Sequence, residues 1–196
     1  TYVWHAAHAR KVAEEILSLL RDYHTKYPYR YGVKKAEIHM TYLKKVKQNV
    51  FDAYVDSLCE ENVIERFQEY VKLPEFEVRQ DENYENVLQI VTATFQKAQF
   101  DFVRFSEVSF GAIDREVVED ILLLLTDRGI VVKVAEDIYT LKTLMDHAKE
   151  VIQNRLRENP LITIAEVRDL LGTSRKSAKP ILEYMDSIKV TKKTGG

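Results

Sequence analysis

Between Thr163 and Met185 the chain reads TIAEVRDLLGTSRKSAKPILEYM, and its punctuation predicts two helices joined by a tight turn. Thr163 with Glu166 three residues later is a capping box, in which hydroxyl and carboxylate each satisfy the other's backbone N–H. A helix is expected from there to Leu171. Gly172 ends it, because glycine enters the left-handed region without a Cβ penalty. Thr173 leads into Ser174, an N-cap for a second helix through Met185. Pro180 falls in the first two turns of that helix, where a missing donor is tolerated better than farther in. Ile188 to Thr194 is expected to be a strand entering a wing. Helix, turn, helix and hairpin make the winged form of the helix-turn-helix.

Working outward, the same layout is expected twice more. Upstream of the quoted stretch, a helix from about Leu144 to Arg157 breaks at Asn159-Pro160, and Leu161-Ile162 reads as a short strand. A middle copy begins near Asn83, with Val87, Ile90, Val91 and Phe95 on one helical face. Phe105 to Phe110 gives a short element, and Asp114 caps a helix carrying Val117, Val118, Ile121, Leu122 and Leu125. Gly129 sits just past its end, and Ile130–Val134 with Ile138–Leu141 form a hairpin across Glu136-Asp137.

The first copy has Val12, Ile16, Leu19, Leu20 and Tyr23 at helical spacing and stops before Pro28. A short helix over Lys34–Leu43 and another over Val46–Asn62 follow. Val63-Ile64 and Tyr70–Leu73 then alternate like paired strands, and Pro74 ends the unit. The fold class expected is mainly α with small β-hairpins, built as tandem winged-helix modules at 1–78, 79–146 and 147–196. A chain that opens on Thr1 and stops at Gly195-Gly196, where a strand should turn, is expected to be a piece of a longer protein with its last wing truncated.

Charge separates the three modules. Residues 1–78 carry 12 Lys/Arg against 12 Asp/Glu, residues 79–146 carry 7 against 13, and residues 147–196 carry 10 against 6. Only the last module has the cationic excess that phosphate affinity needs. Within it, Ser174, Arg175, Lys176 and Lys179 lie in the first two turns of the second helix. Lys189, Lys192 and Lys193 lie on the following strand, which a wing folds beside that helix. Arg168 joins them if its face points the same way, and Asp169 and Glu183 are expected to buttress these cations. Cations at a helix N-terminus oppose its dipole, a small cost that an anionic partner offsets.

The remaining composition excludes more than it suggests. With 45% apolar and 31% charged residues, the chain has the make-up of an ordinary globular protein. No apolar run approaches the roughly 20 residues that cross a bilayer, so no membrane partner is expected. Cys59 stands alone and reads as a small buried residue in a reducing compartment. His5 and His8 share a helical face, but no second ligand pair follows them, so no metal is expected. Tyr27, Tyr29 and Tyr31 with Arg30 suggest an aromatic platform, although packing onto the helix explains them better. There is no Walker-type glycine loop and no catalytic triad with any specificity, so the chain is read as a non-enzyme without a cofactor of its own.

Leu171 to Lys176, followed by Pro180, Leu182-Glu183-Tyr184, Asp186 and Val190-Thr191, resembles the last winged-helix module of bacterial SelB, the selenocysteine-specific elongation factor. Asp22-Tyr23-His24, Pro28 and Gly32 resemble a segment of an earlier module of that family. The resemblance covers the family's C-terminal extension, not the GTPase domains that hold GTP and selenocysteyl-tRNA. It implies a cytoplasmic monomer in protein biosynthesis, whose final module grips the SECIS hairpin in selenoprotein mRNA and tethers the factor on the ribosome beside a UGA codon. By position, Ser174, Arg175 and Lys176 would meet the RNA, with Lys192 and Lys193 from the wing, in keeping with how stems and loops are read. The sequence departs from the family at Ser177, where an aromatic is usual, and at Lys192-Lys193, where arginine is usual; lysine lacks the planar two-pronged contact. The neutral first and acidic second modules are expected to act as an arm. Two rivals stand beside this reading. A winged-helix DNA-binding regulator would need a second basic recognition helix, and a protein-interaction scaffold would show no salt-dependent RNA binding.

Overall fold

The computed structural model describes residues 6–194, and the chain divides between Gln80 and Asp81 into two compact units. His5, Thr1 and Gly195-Gly196 lie outside the described residues.

In the first unit, helix α1 (Ala6–Lys26) is followed by strand β1 (Val33–Lys34), α2 (Lys35–Tyr42), α3 (Gln48–Glu60), β2 (Glu65–Phe67) and β3 (Tyr70–Lys72). The strands form an antiparallel sheet in the order β1-β3-β2, pairing Val33 with Val71 and Arg66 with Val71 on its other side. The apolar spacing of α1 buries Val12, Ile16 and Leu20 against Ile38, Phe51, Val55, Ile64 and Val71. Each such side chain contributes roughly 1.5–3 kcal/mol of transfer free energy. The paired segment begins at Glu65 rather than at Val63-Ile64, because Ile64 is drawn into the core and Val63 and Ile64 donate their N–H groups to the Leu58 carbonyl at the end of α3. Strand β1 has no signature of its own in the sequence. Two residues become a strand only because β3 offers them a ladder.

The motif residues of this unit are structural. The Nε2 of buried His24 accepts the N–H of Leu73 at 3.2 Å, and its ring stacks on Phe76 at 3.6 Å. Gly32 lies against β3, where a Cβ would stand 2.1 Å from the Val71 carbonyl oxygen. The Pro28 carbonyl accepts the N–H of Arg79. Of the tyrosine cluster, Tyr29 is buried, with the Arg79 guanidinium over its ring, while Tyr27 and Tyr31 are half-buried. Cys59 is half-buried rather than buried, and desolvation raises its thiol above the usual range.

In the second unit, α4 (Glu82–Ala98), a single 3-10 turn (Phe105–Glu107), α5 (Arg115–Asp127), β4 (Val131–Ala135), β5 (Ile138–Leu141), α6 (Lys142–Glu158), α7 (Ile164–Leu171) and α8 (Arg175–Ser187) follow in order. The caps fall where local chemistry puts them. Asp81 accepts from Tyr84 N, Asp114 from Glu116 N, and Thr163 and Glu166 form the complete capping box. Gly129 and Gly172 close their helices with positive φ. The hairpin β4–β5 turns at Glu136-Asp137, with Asp137 at φ 57° and tied to Ser106, which holds its carboxyl below the usual range.

Helix α6 begins directly after β5 and passes through the 146/147 boundary drawn from the sequence. It packs on β4, β5, α7 and α8, and β4 also packs on α8, so the middle and last helix sets share one layer. Leu161-Ile162 is loop rather than strand; Leu161 N bonds the Asn159 side chain. Ile188–Thr194 forms no strand either. Lys189 adopts φ 61°, and the N–H groups of Val190 and Thr191 fold back onto the Met185 carbonyl. A strand needs a ladder partner, and no described segment offers these residues one.

Candidate nucleic-acid interface

The turn between α7 and α8 is held by contacts from several elements of the second unit. Buried Val167, Ala178, Ile181 and Met185 hold the two helices on α6, whose Ile152 and Ala148 are fully buried. Arg155 of α6 bonds Glu166 of the capping box, and the Thr163 N–H and hydroxyl bond the same carboxylate. These donors, the Thr163 backbone first, hold the Glu166 carboxyl below its usual range. Past Gly172, the Thr173 hydroxyl reaches across to the loop after α4. It lies 2.8 Å from the Phe100 carbonyl and 2.8 Å from Asp101 Oδ1, which also faces Ser174 N at 3.4 Å. Ser174 then caps α8 by accepting Ser177 N at 3.2 Å. The start of α8 is thus fixed from three sides.

The candidate residues separate into three groups. Arg175 and Lys176 are exposed on the first turn of α8, which contains no acidic residue, and neither has an ion pair among the described residues. Lys179 is exposed but sits 3.8 Å from Glu183, and Arg168 is bonded to Asp169 at 2.7 Å. Both acids therefore buttress cations. Ser174 is exposed, with its hydroxyl engaged in the cap, and Ser177 is buried beside it. Pro180 is buried inside α8 and has no N–H for the Lys176 carbonyl.

Lys192 and Lys193 are exposed, but Thr191 is pinned at the far end of α8 by Met185 and Asp186. That end is about 15 Å along the helix axis from Arg175. The described chain joins Arg175 and Lys176 into one cationic corner and leaves Lys192 and Lys193 at the opposite end of the helix. Sequence reading missed the clasp by Asp101 altogether. Its only signal was an acidic residue in a loop 72 positions away.

The other winged-helix faces of the chain differ. Along α5 the exposed residues include Glu116 and Glu119, the latter bonded to Arg115, and the hairpin that would be its wing is packed against α6 and α8. Among the described residues no group of three His, Cys, Asp or Glu side chains is placed to hold a metal, and no helix is long and apolar enough to cross a membrane.

Comparison with known proteins points one way. Two domain families, each described as "Elongation factor SelB, winged helix", match residues 17–73 and 154–196. A selenocysteine-specific elongation factor of Desulfomicrobium baculatum is 24% identical over 185 residues, covering 94% of this chain and 29% of that protein. One of Haemophilus influenzae is 21% identical over 190 residues, covering 96% and 30%. The chain thus spans less than a third of the length of these curated relatives. Among solved structures, the mRNA-binding domain of elongation factor SelB from E. coli in complex with SECIS RNA aligns at TM-score 0.50 and 23% identity, covering 59% of this chain and 94% of that one. The bacterial selenocysteine-specific elongation factor EF-Sec aligns at TM-score 0.50 and 16% identity, covering 98% of this chain and 30% of that one. At these identities the structures speak for the tandem winged-helix fold alone.

Proposed function

The chain belongs to the SelB elongation-factor family as part of its winged-helix region, and from that premise we propose that its last module binds a messenger-RNA hairpin, the SECIS element, to direct selenocysteine insertion at UGA codons. Arg175 and Lys176 make the principal contacts. They are the two exposed cations on a helix start held by Asp101, Thr173 and Ser174, with no carboxylate within ion-pair distance among the described residues. That observation carries the reading. A guanidinium and an ammonium on the same exposed helix start suit neighbouring phosphates or an unstacked loop base.

Lys179 and Arg168 add charge at the margin, reduced by Glu183 and Asp169. Lys192 and Lys193, one helix length away, serve a second stretch of backbone rather than the same phosphates. The chain acts as a cytoplasmic binding module, not as an enzyme. Hydrolysis of GTP and carriage of selenocysteyl-tRNA belong to other parts of a full-length factor, which works on the ribosome as a monomer. The acid-bearing α5 and its packed hairpin weigh against the DNA-regulator alternative, which needs a second basic recognition helix.

The test uses a hairpin RNA taken from downstream of the UGA in a selenoprotein message. Arg175→Ala and Lys176→Ala should each weaken binding and flatten its salt dependence by close to one phosphate, about 0.7 to 0.9 in the slope. Unchanged affinity in both variants overturns the assignment.

A further inference from the structure

The first unit, neutral as a whole, carries a concentrated cationic corner. Lys44, Lys45 and Lys47 fall within four residues in the turn joining α2 to α3, the helix-turn-helix corner of this unit. All three are exposed, and none has an ion pair among the described residues. The other lysines around the fold are matched: Lys34 with Glu69 at 3.1 Å, Lys35 with Asp52 at 2.8 Å, and Lys72 with Glu65 at 3.0 Å.

The turn that holds the three lysines is rigid. Leu43 is buried, and Val46 N donates to its carbonyl at 2.8 Å. His39 Nε2 donates to the Val46 carbonyl at 2.8 Å, while its ring stacks on Phe51 at 4.4 Å. Lys47 occupies the N-cap of α3 without a side-chain cap, where Ser, Thr, Asp or Asn would stabilise the helix by about 1 kcal/mol. Lys47 departs from the N-cap preference, and with Lys44 and Lys45 it gathers three exposed cations on one internally bonded turn, an arrangement that suits an anion.

The rest of α3 decides which anion. Past the corner α3 carries the half-buried Asp52, paired with Lys35, then Asp56, paired with Arg66, and the exposed Glu60. These carboxylates leave the rest of the helix without the cationic excess on which deep insertion into the major groove of B-form DNA draws. What remains is a contact by the corner alone, made of lysine point charges with no planar base-reading group. Duplex RNA offers this kind of partner: its major groove is too narrow to admit a helix, and proteins hold it by shape and backbone.

We propose that Lys44, Lys45 and Lys47 form a second, sequence-independent RNA site, gripping the phosphate backbone of an A-form duplex. The first unit is then a binding element and not only an arm. This stands independently of the hairpin reading of α8.

The test uses the whole chain and a loopless RNA duplex of about 20 base pairs, titrated across KCl concentrations. The variant Lys44→Gln/Lys45→Gln/Lys47→Gln should bind it about tenfold more weakly at low salt and lower the salt slope by about 2 to 3. A variant with the same charge loss on exposed lysines elsewhere, Lys11→Gln/Lys97→Gln/Lys133→Gln, should keep most of the slope. Arg175→Ala/Lys176→Ala should leave the corner-dependent part of the slope in place while weakening the hairpin. An equal loss in both triple variants, no loss in either, or tighter binding to a DNA duplex of the same sequence overturns the proposal. Loss of duplex binding only through Arg175 and Lys176 sinks it too, leaving the hairpin reading intact.

Discussion

Asp101 and Thr173, 72 positions apart, meet at the start of α8: the threonine hydroxyl lies 2.8 Å from the aspartate Oδ1. The same carboxylate serves two opposed purposes. It clamps the turn that leads into Arg175 and Lys176, and it brings a negative charge to the same helix start without pairing with either cation. Two substitutions separate these effects. Thr173→Val removes the clamp and keeps the charge; it should cost about 1 kcal/mol of stability and weaken hairpin binding. Asp101→Asn keeps an acceptor and removes the charge, so RNA binding should hold or rise about twofold at low salt. Isothermal denaturation and RNA titration of both variants check this, and weaker RNA binding by Asp101→Asn would show that its charge is not opposing the ligand.

His24 predicts a pH dependence in the first unit. Leu73 N donates to Nε2, so the ring proton lies on Nδ1, which is buried without a partner. Burial and then the Lys72 ammonium push the imidazole down to about 4, against an opposing pull from Glu75. In the unfolded chain it protonates near 6.5. Acidification through that window therefore favours unfolding: the contribution is whole above pH 6.5, shrinks as pH falls, and levels off below 4. The loss approaches about 3 kcal/mol. His24→Gln keeps an acceptor for Leu73 N and does not titrate. The stability difference between wild type and variant, from urea midpoints at pH 4 to 7, should change across this window. A constant difference contradicts the assignment.

Gly32 should tolerate no side chain. A Cβ there would meet the Val71 carbonyl oxygen at 2.1 Å and its carbon at 2.8 Å, both backbone atoms of a paired strand with no freedom to retreat. Gly32→Ala should destabilise the first unit by about 3 kcal/mol and lower its melting temperature by more than roughly 10 °C. The second unit should be unaffected, so two calorimetric transitions should separate where one unit has weakened. A variant that melts like wild type means that β1 does not approach β3 this closely.

What the sequence made legible was local. Asp114, the Thr163–Glu166 capping box, Gly129, Gly172 and Ser174 all act where they were expected, because a cap is satisfied by atoms within three residues of it. What escaped was non-local or averaged. Val33-Lys34 is a strand only by virtue of β3, and Ile188–Thr194, with equally good β residues, is not one because nothing pairs with it. Asp101 belongs to the site by a contact no spacing rule reaches. Lys44, Lys45 and Lys47 stood in plain view, yet a charge count over 78 residues dissolved them into neutrality. Phosphate responds to charge within about 10 Å, so the averaging window was wrong by a factor of several.

Glu183 provides the last prediction, because it sits 3.8 Å from Lys179, one turn farther along α8 from the cationic corner. Both side chains are more than half exposed, so the pair adds only a few tenths of a kcal/mol to the helix. Its effect on binding should be larger than its effect on folding. Glu183→Gln leaves the helix nearly as stable, releases Lys179 and removes one repulsive charge from the face that meets RNA. Hairpin affinity should rise about two- to threefold at low salt, with a salt slope steeper by up to about 0.9 as one more phosphate is neutralised. The gain should vanish above about 0.5 M KCl, where the screening length falls toward the pair's own separation. If instead the slope is unchanged while Arg175→Ala still flattens it, Lys179 faces away from the RNA, and the interface ends at the first turn of the helix.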